Sequence, residues 1–120
     1  MELANKSEEE ILSIANPIMD NLMEASTKID YASHIKDFSD KIRNKFTEEE
    51  FQSLCKERQE KYGEFSSRKF MGITKQNDFI NIYWKQKITK NENEFAAILT
   101  LTEEGSRYIV QRAFVDLWQL

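Results

Sequence analysis

The hydrophobic period of this chain changes once, near Gly63, and the change divides the 120 residues into two halves. Before Gly63, apolar residues recur every three or four positions, which is the period of an amphipathic helix. After Gly63, they tend to alternate with polar residues, which is the period of a strand with one buried face. Helices followed by strands predict an α+β domain with an antiparallel sheet, and not a parallel α/β sheet.

The first predicted helix begins after Ser7. Ser7 and Glu10 have the spacing of a capping box, in which each side chain accepts a hydrogen bond from the other residue's backbone N–H. Apolar residues at helical spacing then extend the helix from residue 8 to about residue 25. Pro17 lies inside this segment and predicts a kink or an early break, because proline removes one helical hydrogen bond.

Two more helices are predicted before the sheet. Asp30 is a candidate N-cap for a short second helix. Thr47 and Glu50 form a second capping box, which starts a third helix that runs from residue 48 to about residue 62. Gly63 lies where a C-terminal cap is expected.

The second half predicts four strands in a meander. Asn77-Asp78 and Lys90–Asn93 have the composition of turns between strands. The predicted strands cover residues 64–75, 79–88, 94–102 and 107–118. Together these elements predict one domain over residues 1–120, with three N-terminal helices packed on a curved four-stranded antiparallel sheet and a flexible N-terminus over residues 1–7.

Composition excludes several classes of protein and site. The net charge of -4 argues against a nucleic-acid binder. One cysteine, Cys55, allows no intrachain disulfide, and one histidine with one cysteine offers no transition-metal cluster, so we expect neither a metal nor a cofactor. The sequence has no apolar run long enough for a membrane span and no signal peptide, so the compartment stays open: cytoplasmic, or exported with a leader removed.

The last predicted strand has apolar residues on both faces. A sheet covered by helices on one side has a polar second face, so a second apolar face predicts a covering partner. We expect a homodimer through the face that carries Tyr108, Val110, Phe114 and Trp118. The alternative is that a strongly curved sheet encloses part of its own far face.

The order of elements, together with several short motifs, resembles the nuclear transport factor 2-like superfamily, which is also described as a cystatin-like, cone-shaped α+β fold. Within it, the chain is similar to small bacterial families of unknown function. The segments that carry the resemblance are Ile29–Tyr31, Phe38-Ser39, Phe46–Phe51, Tyr62–Phe65 and the terminal strand. The resemblance implies a cone with an internal cavity and often a dimer across the sheet. Members include isomerases, dehydratases, hydrolases, transport adaptors and assembly domains, so the fold alone fixes no function.

Candidate catalytic residues are few. His34 has an intrinsic pKa near neutrality and could act as a general base, with Asp30 one turn earlier to orient it or Tyr31 as a partner. A surface or structural histidine is the alternative. Cys55 lacks a paired histidine and is interpreted as a buried, inert thiol.

Candidate ligand-binding residues are the aromatic and polar side chains expected near the cone. They are Tyr31, Met71, Trp84 and Gln111. The leading hypothesis is a non-enzymatic, dimeric module that holds a small apolar ligand in its cone. The alternatives are a cofactor-independent isomerase, dehydratase or hydrolase that uses His34, and a protein-interaction adaptor that uses the sheet face. A packed cone would favour the adaptor.

Overall fold

A computed structural model describes residues 2–116 of the chain, together with the backbone of residues 118 and 119. The side chain of Trp118, one of the predicted dimer contacts, lies outside the described residues. Helical segments come first in the chain and an antiparallel sheet follows, so the predicted α+β class is confirmed.

The helical half contains one more helix than predicted. Ser39 acts as an N-cap and divides the predicted second helix in two. The predicted break at Pro17 is wrong, because the first helix continues past it. No helix within residues 2–116 is long and apolar enough to cross a membrane. The segments are a 3-10 turn (Glu2–Asn5), α1 (Glu8–Lys28), α2 (Tyr31–His34), α3 (Asp40–Lys45) and α4 (Glu48–Tyr62).

The N-caps of both predicted capping boxes form, but the reciprocal capping box is complete only at α1, because Glu50 Oε1 accepts from the Thr47 hydroxyl and not from its backbone N–H. Glu10 N–H donates to Ser7 Oγ and Ser7 N–H donates to Glu10 Oε1, both at 3.2 Å. The hydrogen bond from the Ser7 backbone also lowers the pKa of Glu10. At α4, Glu50 N–H donates to Thr47 Oγ1 at 3.2 Å. Two orphan N–H groups at the first helix start and one at the second are therefore satisfied locally.

The first residues, for which the sequence predicts a flexible N-terminus, pack against the sheet in this structure. Leu3 is completely buried in the hydrophobic core. Its backbone N–H donates to Glu103 Oε1 at 2.9 Å. Leu3 and the carboxylate of Glu103 thus hold this segment against the sheet, a contact that its mainly polar composition does not predict.

The sheet has five strands in sequential, antiparallel order. The predicted last strand is two strands, separated by a turn in which Asp116 has a φ of 55°. The strands are β1 (Phe65–Lys75), β2 (Ile80–Ile88), β3 (Asn91–Glu104), β4 (Arg107–Val115) and the short β5 (Trp118–Gln119).

The two faces of the sheet have different surroundings. On one face, Ile82, Leu99 and Ala113 are neighbours across β2, β3 and β4, and all are buried in the core with residues of α1 and α4. On the other face, Tyr83, Ile98 and Phe114 are neighbours, half-buried and outside the core cluster. We call the face that carries Tyr83, Ile98 and Phe114 the open face.

A β-bulge at Gln111 corrects the predicted dimer surface. Val110 pairs with Leu101 and Arg112 pairs with Thr100, so Gln111 is the extra residue on β4. A bulge reverses the alternation of side chains along its strand. Val110 is therefore fully buried on the helix-covered face. Tyr108 also packs against the core, while Phe114 lies on the open face, so the predicted set does not share one surface.

The outer edge of β4 is covered by the chain between α2 and α3. Phe38 forms a parallel bridge with Val110. Ser39 N–H donates to the Val110 carbonyl at 3.1 Å, and Val110 N–H donates to the Asp37 carbonyl at 2.7 Å. These bonds protect an edge that would otherwise offer free backbone groups to another strand.

Candidate functional site

His34 ends α2 inside an aromatic cluster. Its ring is completely buried, and its centroid lies 4.6 Å from that of Phe51, 5.1 Å from Phe38 and 6.0 Å from Phe46. Neither ring nitrogen has a hydrogen-bond partner among the described residues. Burial, helped by the positive charge of Arg58, lowers the pKa of His34 to about 4. The imidazole is therefore neutral and enclosed at neutral pH.

The structure does not pair the side chains of His34 and Asp30, which are joined only by the helical hydrogen bond from His34 N–H to the Asp30 carbonyl, at 3.0 Å. The Asp30 carboxylate caps α2, where it accepts hydrogen bonds from Ser33 N–H at 3.2 Å and from Ser33 Oγ at 2.7 Å. The bonds from Ser33 lower the pKa of Asp30. A carboxylate that caps its own helix is not available to orient the imidazole.

Tyr31 is held in the packing between helices. Its hydroxyl donates a hydrogen bond to the Phe46 carbonyl, and its ring centroid lies 5.8 Å from that of Phe51. These contacts give Tyr31 a structural role. They direct its polar group to the backbone, away from both His34 nitrogens, which have no partner among the described residues.

Trp84 lies on the helix-covered face and is closed off from solvent. It is 3% exposed, and the Arg68 guanidinium lies 4.9 Å from the centroid of its ring. Arg68 is held over the ring by α1, through Asp20 Oδ1 at 2.7 Å, Asn16 Oδ1 at 3.4 Å and Met23 Sδ at 3.3 Å. This ring therefore presents no open wall to a ligand.

Met71 and Gln111 are not in one pocket with Tyr31 and Trp84. Met71 lies at a register irregularity of β1 and is 51% exposed. Gln111 lies at the bulge of β4, and it lines two separate surface cavities. Of the four predicted ligand-binding residues, Gln111 lines two open cavities that the described residues form.

The larger of these cavities, of about 420 Å³, lies on the open face beside the turn between β1 and β2. We call it the Gln111 cleft. Phe79 supplies an apolar wall, and 36% of its surface is exposed. The residues that line the cleft are Asp78, Phe79, Thr100, Thr102, Gln111 and Arg112.

The two threonines of the cleft already donate their hydroxyl hydrogens to other protein groups. Thr100 Oγ1 donates to Asn81 Oδ1 at 2.6 Å, and Thr102 Oγ1 donates to the Asp78 carbonyl at 2.8 Å. A hydroxyl has one hydrogen and two lone pairs. Both oxygens can therefore still accept a hydrogen bond, but neither can donate one.

Arg112 supplies a positive charge to the cleft. The sequence predicts an ion pair between Arg112 and Asp116, but no ion pair of Arg112 forms among the described residues. The reason is the turn that ends β4, where Asp116 leaves the strand with a left-handed φ of 55°. The guanidinium instead lies 5.9 Å from the centroid of the Phe114 ring.

The smaller cavity, of about 320 Å³, lies between α3 and β4. Two of the cationic side chains that line it donate hydrogen bonds to backbone carbonyls. Arg43 donates to the carbonyls of Ile35 and Lys36, and Arg107 also donates to the Lys36 carbonyl. The other side chains that line it are mainly charged or polar, and its apolar residues Phe38 and Ile109 are buried, so it lacks the exposed apolar wall of the Gln111 cleft.

Cys55 is buried, as predicted, on the inner side of α4. Burial raises the pKa of its thiol, and Arg58 and Ser26 oppose that effect only in part. The described residues contain no group of three metal-ligating side chains. Neither observation indicates a reactive centre among the described residues.

Sequence reasoning missed five of the six cleft residues. Thr100 and Thr102 alternate with the buried Leu99 and Leu101, so their parity indicates the opposite face of the sheet. The bulge is not visible in the sequence alone. The core-facing residues of β4 fall on even positions at Tyr108 and Val110 and on odd positions at Ala113 and Val115, but Ile109 and Phe114 are also apolar and conceal this change. The missed residues are Asp78, Phe79, Thr100, Thr102 and Arg112.

Comparisons with known proteins bear on the fold alone. No protein-family model matches the chain, and no curated protein matches it significantly. Among solved structures, the chain is similar to that of Bdellovibrio bacteriovorus Bd1075, with 13% identity over 94% of this chain and a TM-score of 0.53. The match covers 44% of the Bd1075 chain, so this chain spans less than half the length of that bacterial protein.

Proposed function

We propose that this protein is a non-catalytic binding module that takes a small amphipathic ligand in the Gln111 cleft. One contrast carries the proposal. Trp84, the best ligand-binding candidate on the helix-covered face, is closed by Arg68, whereas Gln111 borders an open cavity with an apolar wall and a cation, Arg112, that has no ion pair among the described residues. Pockets of this kind combine apolar surface with a few convergent polar groups. The proposal thus moves the expected ligand from the cone to the open face.

We also infer membership of the nuclear transport factor 2-like superfamily. The order of helices followed by an antiparallel meander supports this inference, as do the capped starts of α2, α3 and α4, which lie in the segments that carry the resemblance. The similarity to Bd1075 agrees with an α+β fold of this kind in a bacterial protein. Because such folds host many activities, the functional argument rests on the cleft and not on the superfamily.

The enzyme alternative has less support than the binding module. A general base must reach the proton that it abstracts, and His34 is fully buried in an aromatic cluster. Asp30 is engaged by Ser33, and Tyr31 by a backbone carbonyl. The hypothesis of a His34-centred active site would require these three contacts to rearrange together.

A crystallographic soak tests the binding proposal. The probe is 3-phenylpropionate, which has an aromatic body and a carboxylate. Density for the probe between Phe79 and Arg112 is the expected result. Density beside Trp84 under a displaced Arg68 would support the cone hypothesis instead, and absence of density at the cleft in crystals that leave it accessible would contradict the proposal.

A second candidate function is protein interaction through the open face. Tyr83, Ile98 and Phe114 form a row of half-buried apolar side chains across three strands. Lys69 and Lys85 are cross-strand neighbours beside this row, and Glu94 Oε2, at 3.8 Å from Lys85 Nζ, offsets only one of the two like charges. A partner segment with apolar and acidic side chains would complement this surface.

The predicted homodimer is a special case of this second candidate. A dimer through the open face would use Phe114 with Tyr83 and Ile98, because Val110 is buried. Two such faces would bring their lysines into one interface, so a symmetric dimer is less well complemented than an acidic partner. Sedimentation equilibrium of the wild type and Ile98→Asp tests this: a dimer that the substitution dissociates supports self-association, and a monomer in both contradicts it.

A further inference from the structure

We propose that the Gln111 cleft recognises a zwitterion with an apolar body, with free apolar α-amino acids as the simplest members of the class. The inference rests on the proposed function and adds the chemistry of the ligand to it. It follows from the hydrogen-bonding capacity that the lining residues have left after their internal contacts are satisfied.

One side of the cleft can only accept hydrogen bonds. The hydroxyl hydrogens of Thr100 and Thr102 are used by Asn81 and by the Asp78 carbonyl. The Asp78 carboxylate is exposed, and among the described residues it has no ion pair. Two hydroxyl oxygens and a carboxylate together suit a ligand group that carries several N–H donors and a positive charge, which is the chemistry of an ammonium group.

The β4 side of the cleft offers hydrogen-bond donors. Arg112 provides guanidinium N–H groups with no carboxylate partner among the described residues, and Gln111 adds a side-chain amide that makes no hydrogen bond there. A guanidinium matches the geometry of a carboxylate, since two parallel N–H groups can meet its two oxygens. An anionic ligand group is therefore expected on the β4 side of the cleft.

The apolar wall and the volume complete the match. Phe79 exposes 36% of its surface at the cleft, which gives an aromatic platform to an apolar side chain. The volume of about 420 Å³ lies within the range of small-molecule sites. Because the cleft is open to solvent, a ligand of amino-acid size is expected to bind with a Kd on the order of 1 mM.

A ligand series with single charges removed tests the inference. The probes are L-phenylalanine, L-phenylalaninamide, which lacks the carboxylate, and N-acetyl-L-phenylalanine, which lacks the ammonium group. Binding is measured by NMR titration of the backbone amides of Thr102 and Arg112. Each modified probe is expected to bind at least about tenfold more weakly than L-phenylalanine, because each leaves one charged group of the cleft unmatched.

Two variants assign the charges to residues. In Arg112→Gln the preference for L-phenylalanine over its amide should disappear, while the preference over the N-acetyl compound remains. In Asp78→Asn the opposite pattern is expected. Lys87→Gln, a charge change at an exposed β2 residue outside the cleft lining, should leave both preferences unchanged. Thermal unfolding of all three variants establishes that they are folded.

The outcomes separate this inference from the proposed function. If 3-phenylpropionate binds the cleft as well as L-phenylalanine does, the zwitterion inference is overturned and the binding module stands. If Thr102 and Arg112 respond to neither compound, both fail. If the preferences persist in both variants, the charges come from residues other than Asp78 and Arg112, and the inference is again overturned.

Discussion

The guanidinium of Arg68 lies 4.9 Å from the centroid of the Trp84 ring and is tied to Asp20 by an ion pair of 2.7 Å. The Arg68 side chain is 13% exposed and the Asp20 side chain is 67% exposed, so water screens the ion pair from the Asp20 side. This contact joins β1 to α1 and closes the sheet face on which the sequence predicts a cone. It is the structural reason why the proposed site is elsewhere.

Replacement of Arg68 by alanine should expose Trp84 and lower the stability of the fold. We expect the free energy of unfolding to fall by about 1–3 kcal/mol, because the cation–π contact and the ion pair are both lost. The emission maximum of Trp84 should shift to longer wavelength, measured in a Trp118→Phe background so that Trp84 is the single tryptophan. Lys69→Ala, on the open face, is the control. An unchanged emission maximum would show that Arg68 does not shield the ring.

His34 should make the stability depend on pH. Its pKa is about 4 in the folded protein and near 6.5 when unfolded, so between these values the unfolded chain binds more protons. Stability is therefore complete above about pH 6.5 and decreases by about 3 kcal/mol as the pH falls to about 4. His34→Phe should remove this contribution, while the carboxylates titrate equally in both proteins. Urea unfolding at several pH values measures the difference, and parallel profiles would contradict the assignment.

Tyr31 is expected to act through its hydrogen bond to the backbone. Tyr31→Phe leaves the Phe46 carbonyl without that donor, so we expect a loss of about 1–2 kcal/mol in the free energy of unfolding. Tyr83→Phe is the matched control, because within the described part of the chain the hydrogen bond of the Tyr83 hydroxyl is to the exposed Thr74 hydroxyl, at 3.3 Å. Equal effects of the two substitutions in chemical denaturation would argue against this role for Tyr31.

Gly63 and Gly105 form a second matched pair. Both have positive φ values, of 79° and 61°. An added Cβ at Gly63 would lie 2.1 Å from Thr89 Oγ1 and 3.2 Å from the Lys90 backbone nitrogen, whereas at Gly105 it would meet open space. Gly105→Ala should therefore cost about 1 kcal/mol and Gly63→Ala at least about 2 kcal/mol more. Thermal or urea unfolding measures both, and similar losses would show that the Gly63 contact is not restrictive.

The sequence predicts well those parts of the fold that depend on local chemistry. The capping residues Ser7 and Thr47 place the starts of α1 and α4 correctly, because the cap is a contact within three residues. The alternation of Ile80, Ile82 and Trp84 also assigns the buried face of β2 correctly. Each of these features is decided by neighbours along the chain.

The failures arise where distant parts of the chain decide the outcome. Leu3 is ordered by Glu103, which is 100 residues away. The bulge at Gln111 shifts the face of Val110, and its signal is a change of parity that is visible only when β4 is paired with β3. Asp30 and His34 are four residues apart, a spacing that would let a carboxylate orient an imidazole on one helix. In the fold, however, Asp30 is exposed to solvent and His34 is buried.

We propose that small ligands bind in the Gln111 cleft on the open face and not beneath Arg68. The most direct measurement is an NMR titration with 3-phenylpropionate that follows two reporters, the side-chain amide of Gln111 and the indole N–H of Trp84. We expect a saturable chemical-shift change of the Gln111 side-chain amide and of the Thr102 backbone amide, while the Trp84 indole resonance stays unchanged. A saturable shift of the Trp84 indole with no response at Gln111 would contradict the proposal.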